Sequence, residues 1–242
     1  MKVRVVVPVA HARFNDEARE EFVRWSAPGT EVSVVNLDEG PQSIESECED
    51  ALVVPDFLRK AKDAESEGCD AIICDCFGDP GVRAARELVD VPVIGPGEAA
   101  MLLAAALGYK FSVITVLRQV FPLIEAVAWR TGVESKLASI RAVDIPVLEL
   151  CDKGRMIAAL HAEMRRALED DSAQVVVLGC TGMMGVAAEL QARLKTDAFQ
   201  VPVVDPVAAA MKLAETLAGL GIRQSRLAYH KPKVFEAEHS AA

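Results

Sequence analysis

Ala71-Ile72-Ile73-Cys74-Asp75-Cys76-Phe77-Gly78-Asp79-Pro80-Gly81-Val82 and Val175-Val176-Val177-Leu178-Gly179-Cys180-Thr181-Gly182-Met183-Met184-Gly185-Val186 are two versions of one pattern. Each is an apolar run that leads into C-x-G-x-x-G-V. The agreement continues downstream. Val91-Pro92-Val93-Ile94 matches Val201-Pro202-Val203-Val204, Pro96 matches Pro206, and Ala99-Ala100-Met101 matches Ala209-Ala210-Met211. So many aligned identities mark an internal repeat. Short β-branched runs alternating with longer amphipathic stretches imply parallel sheets covered by helices on both faces. The fold class is therefore α/β, with two pseudo-symmetric lobes. Each lobe holds a mostly parallel sheet flanked by helices, with the active site in the cleft between them. Ligands of open α/β sheets bind beyond the C-terminal strand ends, where each lobe places one cysteine.

Working outward, strands are expected at Lys2–Val9, Glu31–Asn36, Ala71–Cys76, Val91–Ile94, Lys110–Val116, Ile140–Val143, Val175–Cys180 and Val201–Asp205. Helices are expected at Asp16–Ser26, Val53–Glu67, Pro80–Val89, Glu98–Leu107, Phe121–Arg130, Lys153–Glu169, Gly185–Leu194 and Val207–Gly219. The lobes are approximately residues 1–96 with 206–222, and residues 97–205. Residues 223–242, rich in Lys, His, Pro and Arg, read as a docked arm or a frayed tail.

Composition excludes several classes. Of 242 residues, 26 are Lys or Arg and 36 are Asp or Glu, a net charge of −10. An acidic chain with no basic block lacks the electrostatic footprint of a nucleic-acid or anionic-membrane binder. The longest apolar run, Ala99–Gly108, is about half of what a membrane-spanning helix needs. Lys2 and Arg4 before Val5–Ala10 imitate a signal peptide, but a first strand explains the run better. Six cysteines without framework spacing read as free thiols in a cytoplasmic protein.

The paired cysteines carry the chemistry. Asp79 and Pro80 read as N-cap and first residue of the helix after Cys76, and Thr181 or Gly182 as the cap after Cys180. Helix N-termini there would lower both thiol pKa values below their ordinary value of about 8.5. Gly78 and Gly182 would let a carbonyl oxygen approach backbone N–H groups, as in an oxyanion hole. A carbon acid held between a thiolate and a thiol can lose a proton on one face and regain one on the other. That is two-base racemisation, with no cofactor and no metal. Cys48, Cys69, Cys74 and Cys151 read as small apolar filler.

At Cys76 and Cys180 the chain resembles the aspartate/glutamate/hydantoin racemase superfamily, its hydantoin racemase branch most. Gly40–Ser46, Cys76–Gly81, Glu98–Met101, Lys110–Thr115 and Val177–Met183 carry the resemblance, which spans about residues 1–222. It implies two α/β lobes, a cofactor-free site between them, a small-molecule substrate and a homo-oligomer. Amino-acid racemases of the superfamily usually have Asn-Thr after the first cysteine and Thr-His or Thr-Glu after the second. Here Phe77-Gly78 and Thr181-Gly182 stand instead, and they suit a flat neutral ring such as a 5-substituted hydantoin or allantoin. Hydantoin racemases typically carry Asn-Pro-Asn after the first strand. This chain has Val7-Pro8-Val9, which keeps the proline and loses both amides.

Candidate substrate contacts are Phe77, Gly78, Asp79, Thr181, Gly182, Thr115, Pro8, Val9, His11 and Ser43. Thr115 ends a strand and His11 follows one, both at the ligand edge. Asp79 is read as a cap more than an acid. Alternatives are a lyase resembling arylmalonate decarboxylase, which needs a single cysteine, an Asp/Glu racemase, and a binding domain without turnover. Gly95-Pro96-Gly97-Glu98-Ala99-Ala100 fits a G-x-G-x-x-A dinucleotide fingerprint, but no acidic residue ends the next strand. His161 reads as a solvated helix residue, and His230 and His239 as tail residues.

Overall fold

The strand Lys2–Val7 (β1) is buried on both faces. Val3 and Val5 point into the core shared with the other half of the chain, whereas Val6 packs with Leu37, Val53 and Phe57 on the opposite side. The alternation follows from the two-residue period of a strand. Ala71–Cys74 (β3) repeats it, with Ala71 and Ile73 on one side and Ile72 and Cys74 on the other. Strands covered twice are Val- and Ile-rich throughout, which is why they read as continuous apolar runs.

The computed structural model describes residues 1–233. Asn15–Trp25 (α1), Glu31–Asn36 (β2), Glu47–Ser66 (α2), Val82–Leu88 (α3) and Val93–Ile94 (β4) complete the first sheet and its helices. Pro96–Leu107 (α4), Phe111–Thr115 (β5), Phe121–Thr131 (α5), Leu137–Ala142 (β6), Lys153–Asp170 (α6), Val175–Leu178 (β7), Ala187–Thr196 (α7), Val203–Val204 (β8) and Pro206–Gly219 (α8) follow. The two sheets have orders β2-β1-β3-β4 and β6-β5-β7-β8, all parallel. The second order is the first with the numbers advanced, so the internal repeat is a repeat of topology.

The last helix of each half crosses over. α4 follows the first sheet but packs on β7 and β8, and α8 follows the second sheet but packs on β3 and β4. The two helices also pack on each other. Ala99, Ala100, Met101 and Ala104 of α4 and Ala209, Ala210, Met211 and Ala214 of α8 are all buried in one core. Small residues at matched positions let the helices approach closely. One apolar core therefore runs through both lobes.

Several element boundaries differ from the sequence reading. α2 begins at Glu47, not Val53, because Ser46 caps it: its hydroxyl accepts from Glu49 N, and the Glu49 carboxylate accepts from Ser46 Oγ and Glu45 N. The strands before the two cysteines end at Cys74 and Leu178, so Cys76 and Cys180 lie in loops. Helix α3 begins at Val82 rather than Pro80, with Gly81 at the N-cap in the left-handed region (φ 69°). Neither Thr181 nor Gly182 caps α7, whose N-cap is Val186.

Asp79 is a cap, but of a different helix. Its carboxylate accepts from Gly97 N (2.9 Å) and Glu98 N (2.7 Å), the first turn of α4. In the second lobe the matching helix α8 is capped by its own N-cap residue, Asp205, through Val207 N (2.9 Å) and Ala208 N (3.3 Å). This explains the fingerprint-like glycines. A Cβ on Gly95 would lie 2.3 Å from Asp79 Cγ, and one on Gly97 would lie 2.2 Å from the Phe77 carbonyl oxygen. Both glycines make room for the cysteine loop rather than for a nucleotide.

The beginning of the C-terminal segment is docked on the first lobe. Gln224 donates to the Val89 and Val91 carbonyls, Arg226 pairs with Asp90 and donates to the carbonyls of Arg86 and Glu87, and Lys231 pairs with Asp90. The rest of that segment, including His239, lies outside the described residues. Among the described residues no helix is long and apolar enough to cross a membrane.

Candidate active site

The central strands of both sheets end at one cavity of about 90 Å³. From the first lobe come Val7 at the end of β1, Pro8 and Val9 after it, and Asp75, Cys76, Phe77 and Gly78 after β3. From the second come Thr115 and Val116 at the end of β5, and Gly179, Cys180, Thr181 and Gly182 after β7. The side walls are Phe14, Ser43, Ile44, Val120, Leu123, Ile124, Val147 and Met184. Glu45 accepts from Val147 N at 2.8 Å, joining a first-lobe loop to a second-lobe loop beside Val147 in the wall.

Both cysteines thus line a single cavity from opposite lobes, and each sulfur is held by its own loop. Gly182 N donates to Cys180 Sγ at 3.4 Å, and Gly78 N–H plays the same part for Cys76. A Cβ on Gly182 would lie 3.1 Å from Leu150 Cδ1 and 3.5 Å from Cys180 Sγ. A Cβ on Gly78 would lie 3.0 Å from Asp50 Oδ1 and 3.9 Å from Cys76 Sγ. The repeated glycine is therefore the residue that touches the thiol in both lobes.

The electrostatics reverse the expectation for the thiols. Burial pushes Cys76 well above the ordinary thiol range, with Asp50, Cys180 and Asp79 adding to the push against the Gly78 N–H. Burial likewise pushes Cys180 up to about 12, with Asp75 and Glu45 adding to it against the Gly182 and Met183 N–H groups. The helices begin several residues beyond each cysteine, and the charged side chains that act most on the sulfurs are acidic. Desolvation disfavours the thiolate, and no cation lines the cavity among the described residues to offset it. At rest near neutral pH both groups are thiols.

Cys76, Cys180, Phe77, Gly78, Thr181, Gly182, Thr115, Pro8, Val9 and Ser43 all line the cavity. His11 and Asp79 do not. His11 Nε2 bonds the Gln42 carbonyl oxygen at 2.8 Å and its Nδ1 accepts from Arg13 N, so both ring nitrogens are engaged in the loop. Asp79 is turned towards α4, as described above. The Thr115 hydroxyl donates to the Gly179 carbonyl at 3.0 Å, so it fixes the loop residue before Cys180 and its proton is taken.

Asp75 is the lining residue that sequence reasoning misses. Its Oδ1 is sealed from solvent without a hydrogen-bond partner, as is Asp50 Oδ1. Burial, with help from Asp205, pushes its carboxyl up to about 7, against the Thr181 hydroxyl. The one sequence signal is an acid inside an otherwise apolar strand-to-loop run. The apolar walls from α5 and from the loops around Phe14 and Val147 escape a sequence reading for a different reason, since they arrive by long-range packing.

A family model described as Asp/Glu/hydantoin racemase matches residues 8–214. The chain belongs to this family. It is 36% identical over 232 residues to a hydantoin racemase of Pseudomonas sp. (strain NS671), covering 96% of this chain and 91% of that protein. It is 37% identical over 236 residues to a hydantoin racemase of Rhizobium meliloti, covering 97% and 96% respectively. Among solved structures, allantoin racemase from Klebsiella pneumoniae superposes with a TM-score of 0.89 at 33% identity, covering 96% of this chain and 94% of that one. This racemase shares its two-lobed α/β fold with structures of arylmalonate decarboxylase and glutamate racemase that are 20% and 16% identical to it.

Proposed function

We propose that this racemase inverts C5 of a neutral cyclic ureide, a 5-alkyl or 5-aryl hydantoin in preference to allantoin, with Cys76 and Cys180 as the two proton-transfer groups. The observation that carries this reading is one apolar cavity lined by both thiols and, among the described residues, by no Lys, Arg or His. Aspartate, glutamate or a malonate would bring at least one carboxylate into a site whose fixed charges are already acidic. A hydantoin ring brings none. Its 5-substituent meets Leu123, Ile124, Val147 and Met184, which suit an alkyl or aryl group better than the ureido chain of allantoin.

In the proposed reaction one cysteine, as thiolate, takes the C5 proton. The charge moves to the C4 oxygen of the enolate, beside the backbone N–H groups of the 76–78 and 180–182 loops. The other cysteine, as thiol, donates its proton to the opposite face of C5. One proton is lost and one gained, and the two sulfurs exchange roles. Because the sulfurs only accept and return protons, the chemistry needs no cofactor.

The test is proton NMR in deuterium oxide with single-enantiomer 5-benzylhydantoin, 5-methylhydantoin, allantoin, aspartate and glutamate, each beside a no-enzyme control. Accelerated loss of the C5 proton together with loss of optical rotation is expected for the hydantoins. Cys76→Ala and Cys180→Ala should each abolish racemisation. Full activity in either variant, or turnover of the amino acids alone, would overturn the proposal.

A further inference from the structure

The cavity is small for the substrates proposed for it. Its volume of about 90 Å³ is less than the roughly 150 Å³ of an engineered cavity that takes one benzene. A 5-benzylhydantoin carries a second ring besides its phenyl group, so a wall must move outward to seat it. The floor is pinned. Asp75 and Gly179, the equivalent residues before the two cysteines, donate from their N–H groups to the Val6 (2.8 Å) and Ile114 (2.7 Å) carbonyls of their own sheets. The Thr181 hydroxyl ties the two sides together by donating to the Asp75 carbonyl at 3.2 Å. Residue 179 has no slack around it, since a Cβ there would lie 2.7 Å from Val113 Cγ1, 2.9 Å from Thr115 Cβ and 3.0 Å from the Ile114 carbonyl oxygen.

Two of the walls are also fixed. Val120, Leu123 and Ile124, on α5 and the turn that leads into it, are buried in the core. In the first lobe the loop after β1 is laced to the segment before α2. Ala10 N–H donates to the Pro41 carbonyl (3.3 Å), Leu37 N–H to the Val9 carbonyl (3.2 Å), and Asn36 Nδ2 to the His11 carbonyl (2.6 Å). The wall at Val147 is different. It is a single 3₁₀ turn, Val147–Glu149, slung between two anchors: the Ile145 N–H on the Val116 carbonyl, and Asp152, which caps α6. Within its own lobe the turn is steadied by Leu150 against the Gly182 position and by an exposed Arg155–Glu149 ion pair, which adds little in water. The opposite lobe grips it by the backbone. Glu45 accepts from Val147 N at 2.8 Å, and Arg13 Nη2 donates to the Leu148 carbonyl at 3.3 Å. Each gripping residue adjoins a wall residue in sequence, Glu45 following Ile44 and Arg13 preceding Phe14. The Glu45 bond is half-buried and made by a carboxylate, so it is the stronger of the two.

Resting on the cyclic-ureide reading, we infer that Glu45, supported by Arg13, latches the Pro146–Leu150 turn over the cavity and so sets how large a 5-substituent the racemase accepts. Under the latched turn a methyl group fits. A benzyl group presses on Val147, and the turn lifts only when Val147 N and Leu148 O leave Glu45 and Arg13. Both held atoms belong to the backbone, so the whole turn moves with them. Glu45 acts through the turn and is a positioning residue; it does not line the cavity.

The test reads the opening directly, with a pair of reagents that differ only in size. N-methylmaleimide and N-benzylmaleimide are reacted with Cys180 in a Cys48→Ser, Cys151→Ser background, which removes the exposed thiols, and followed by peptide mass spectrometry. N-acetylcysteine is the unhindered reference. The benzyl-to-methyl ratio is blind to the ionisation of the thiol, on which the Glu45 charge also acts. In the otherwise unaltered protein the ratio at Cys180 should fall at least tenfold below that of N-acetylcysteine. Glu45→Ala should raise it about tenfold, a change of about 1.4 kcal/mol and of the order of one hydrogen bond to a charged group. Glu45→Gln keeps an oxygen for Val147 N and should stay within about threefold of Glu45. With substrates, Glu45→Ala should raise kcat/KM for 5-benzylhydantoin relative to 5-methylhydantoin by the same factor, whereas a merely structural role would lower both alike. An unmoved ratio in Glu45→Ala, with maleimides or with hydantoins, would overturn the inference. So would a Cys180 ratio equal to that of N-acetylcysteine before Glu45 is changed, which needs no variant at that position to fold. If the maleimides sort as expected but no hydantoin racemises, the substrate reading fails and the latch stands. Hydantoin racemisation with size ratios indifferent to Glu45 gives the reverse.

Discussion

The two matching helices are capped from different places, and that difference can be exchanged. Asp79 caps α4 from the cysteine loop, while Asp205 caps α8 from the helix's own N-cap position. The residue of α4 equivalent to Asp205 is Gly95. Its backbone (φ −99°, ψ 128°) already matches that of Asp205 (φ −90°, ψ 123°), and a proline follows both. What keeps an aspartate out is the Asp79 carboxyl group, whose three atoms lie 2.3, 2.4 and 2.5 Å from a Cβ at residue 95. Asp79→Gly removes two hydrogen bonds to a carboxylate at a helix N-terminus. At the low end of about 1.5 kcal/mol each, that costs about 3 kcal/mol. Glycine also accepts the left-handed backbone of residue 79 (φ 55°), so no strain is added. Gly95→Asp alone drives a side chain into an occupied space and places two acids on one helix end, again about 3 kcal/mol. If the two effects were independent, the double variant would lose about 6 kcal/mol by adding these figures. With the Asp79 carboxyl gone, however, the aspartate introduced at position 95 has the room and backbone to bond Gly97 N and Glu98 N, as Asp205 bonds Val207 N and Ala208 N. The expected loss in the double variant is then about 1 kcal/mol, a coupling of about 5 kcal/mol. Urea melts of the four proteins at pH 8, where Asp79 is ionised, measure the cycle. A double variant as unstable as the sum of the singles, within about 0.5 kcal/mol, would show that the cap is not transferable and that the reasoning is wrong.

Three other outcomes follow from the same structure. Asp50 and Asp205 (about 6) and Asp75 and Asp79 (about 7) are raised above the ordinary 3.8 by burial, so the folded chain holds protons that the unfolded chain has released. Their contribution to stability is complete below about pH 4 and is lost as pH rises through 6 to 7; thermal melts should give a higher Tm at pH 5 than at pH 8, and the opposite order would refute the assignment. Gly179→Ala should cost about 1–3 kcal/mol of stability by overpacking, and about 10²-fold in kcat/KM by displacing Cys180; unchanged turnover would mean that the Cys180 loop absorbs the methyl group. Arg226→Ala should lower stability by about 2 kcal/mol, through loss of the Asp90 pair and of the carbonyls it holds at the end of α3, while leaving kcat/KM unchanged. A Tm within error of the wild type would show that the arm adds nothing to the first lobe.

How much of this is written in the sequence depends on the range of the interactions involved. The repeat makes the two-lobed α/β fold and the shared position of Cys76 and Cys180 legible, because period and spacing are local properties. The start of α2 is also legible in Ser46-Glu47-Cys48-Glu49, a capping box, although Pro55 inside the helix obscures how far upstream it begins. The target of Asp79 cannot be read, since the backbone amides it serves lie 18 and 19 residues away. The thiol pKa values run opposite to the local expectation, because a sequence displays helix ends but not burial. His11 stands at the ligand edge in sequence, yet its bond to Gln42 turns it into the loop. Asp75 reads in the sequence only as an acid in an apolar run, because its place in the cavity lining depends on how the two lobes pack.

The exchange of α4 and α8 between the sheets has a consequence for the origin of the fold. A chain of half this length, ending in its own version of α4, would have an apolar helix with no sheet of its own to cover. It would bury that helix by swapping it with a second copy. Two such copies would form a two-fold symmetric dimer, with one cysteine from each lining the cavity on the axis. Joining two such halves in one chain leaves each free to differ from the other. The glycine at 179 opposite the aspartate at 75, and the cap that moved between 79 and 205, are differences that no symmetric dimer of identical chains could hold.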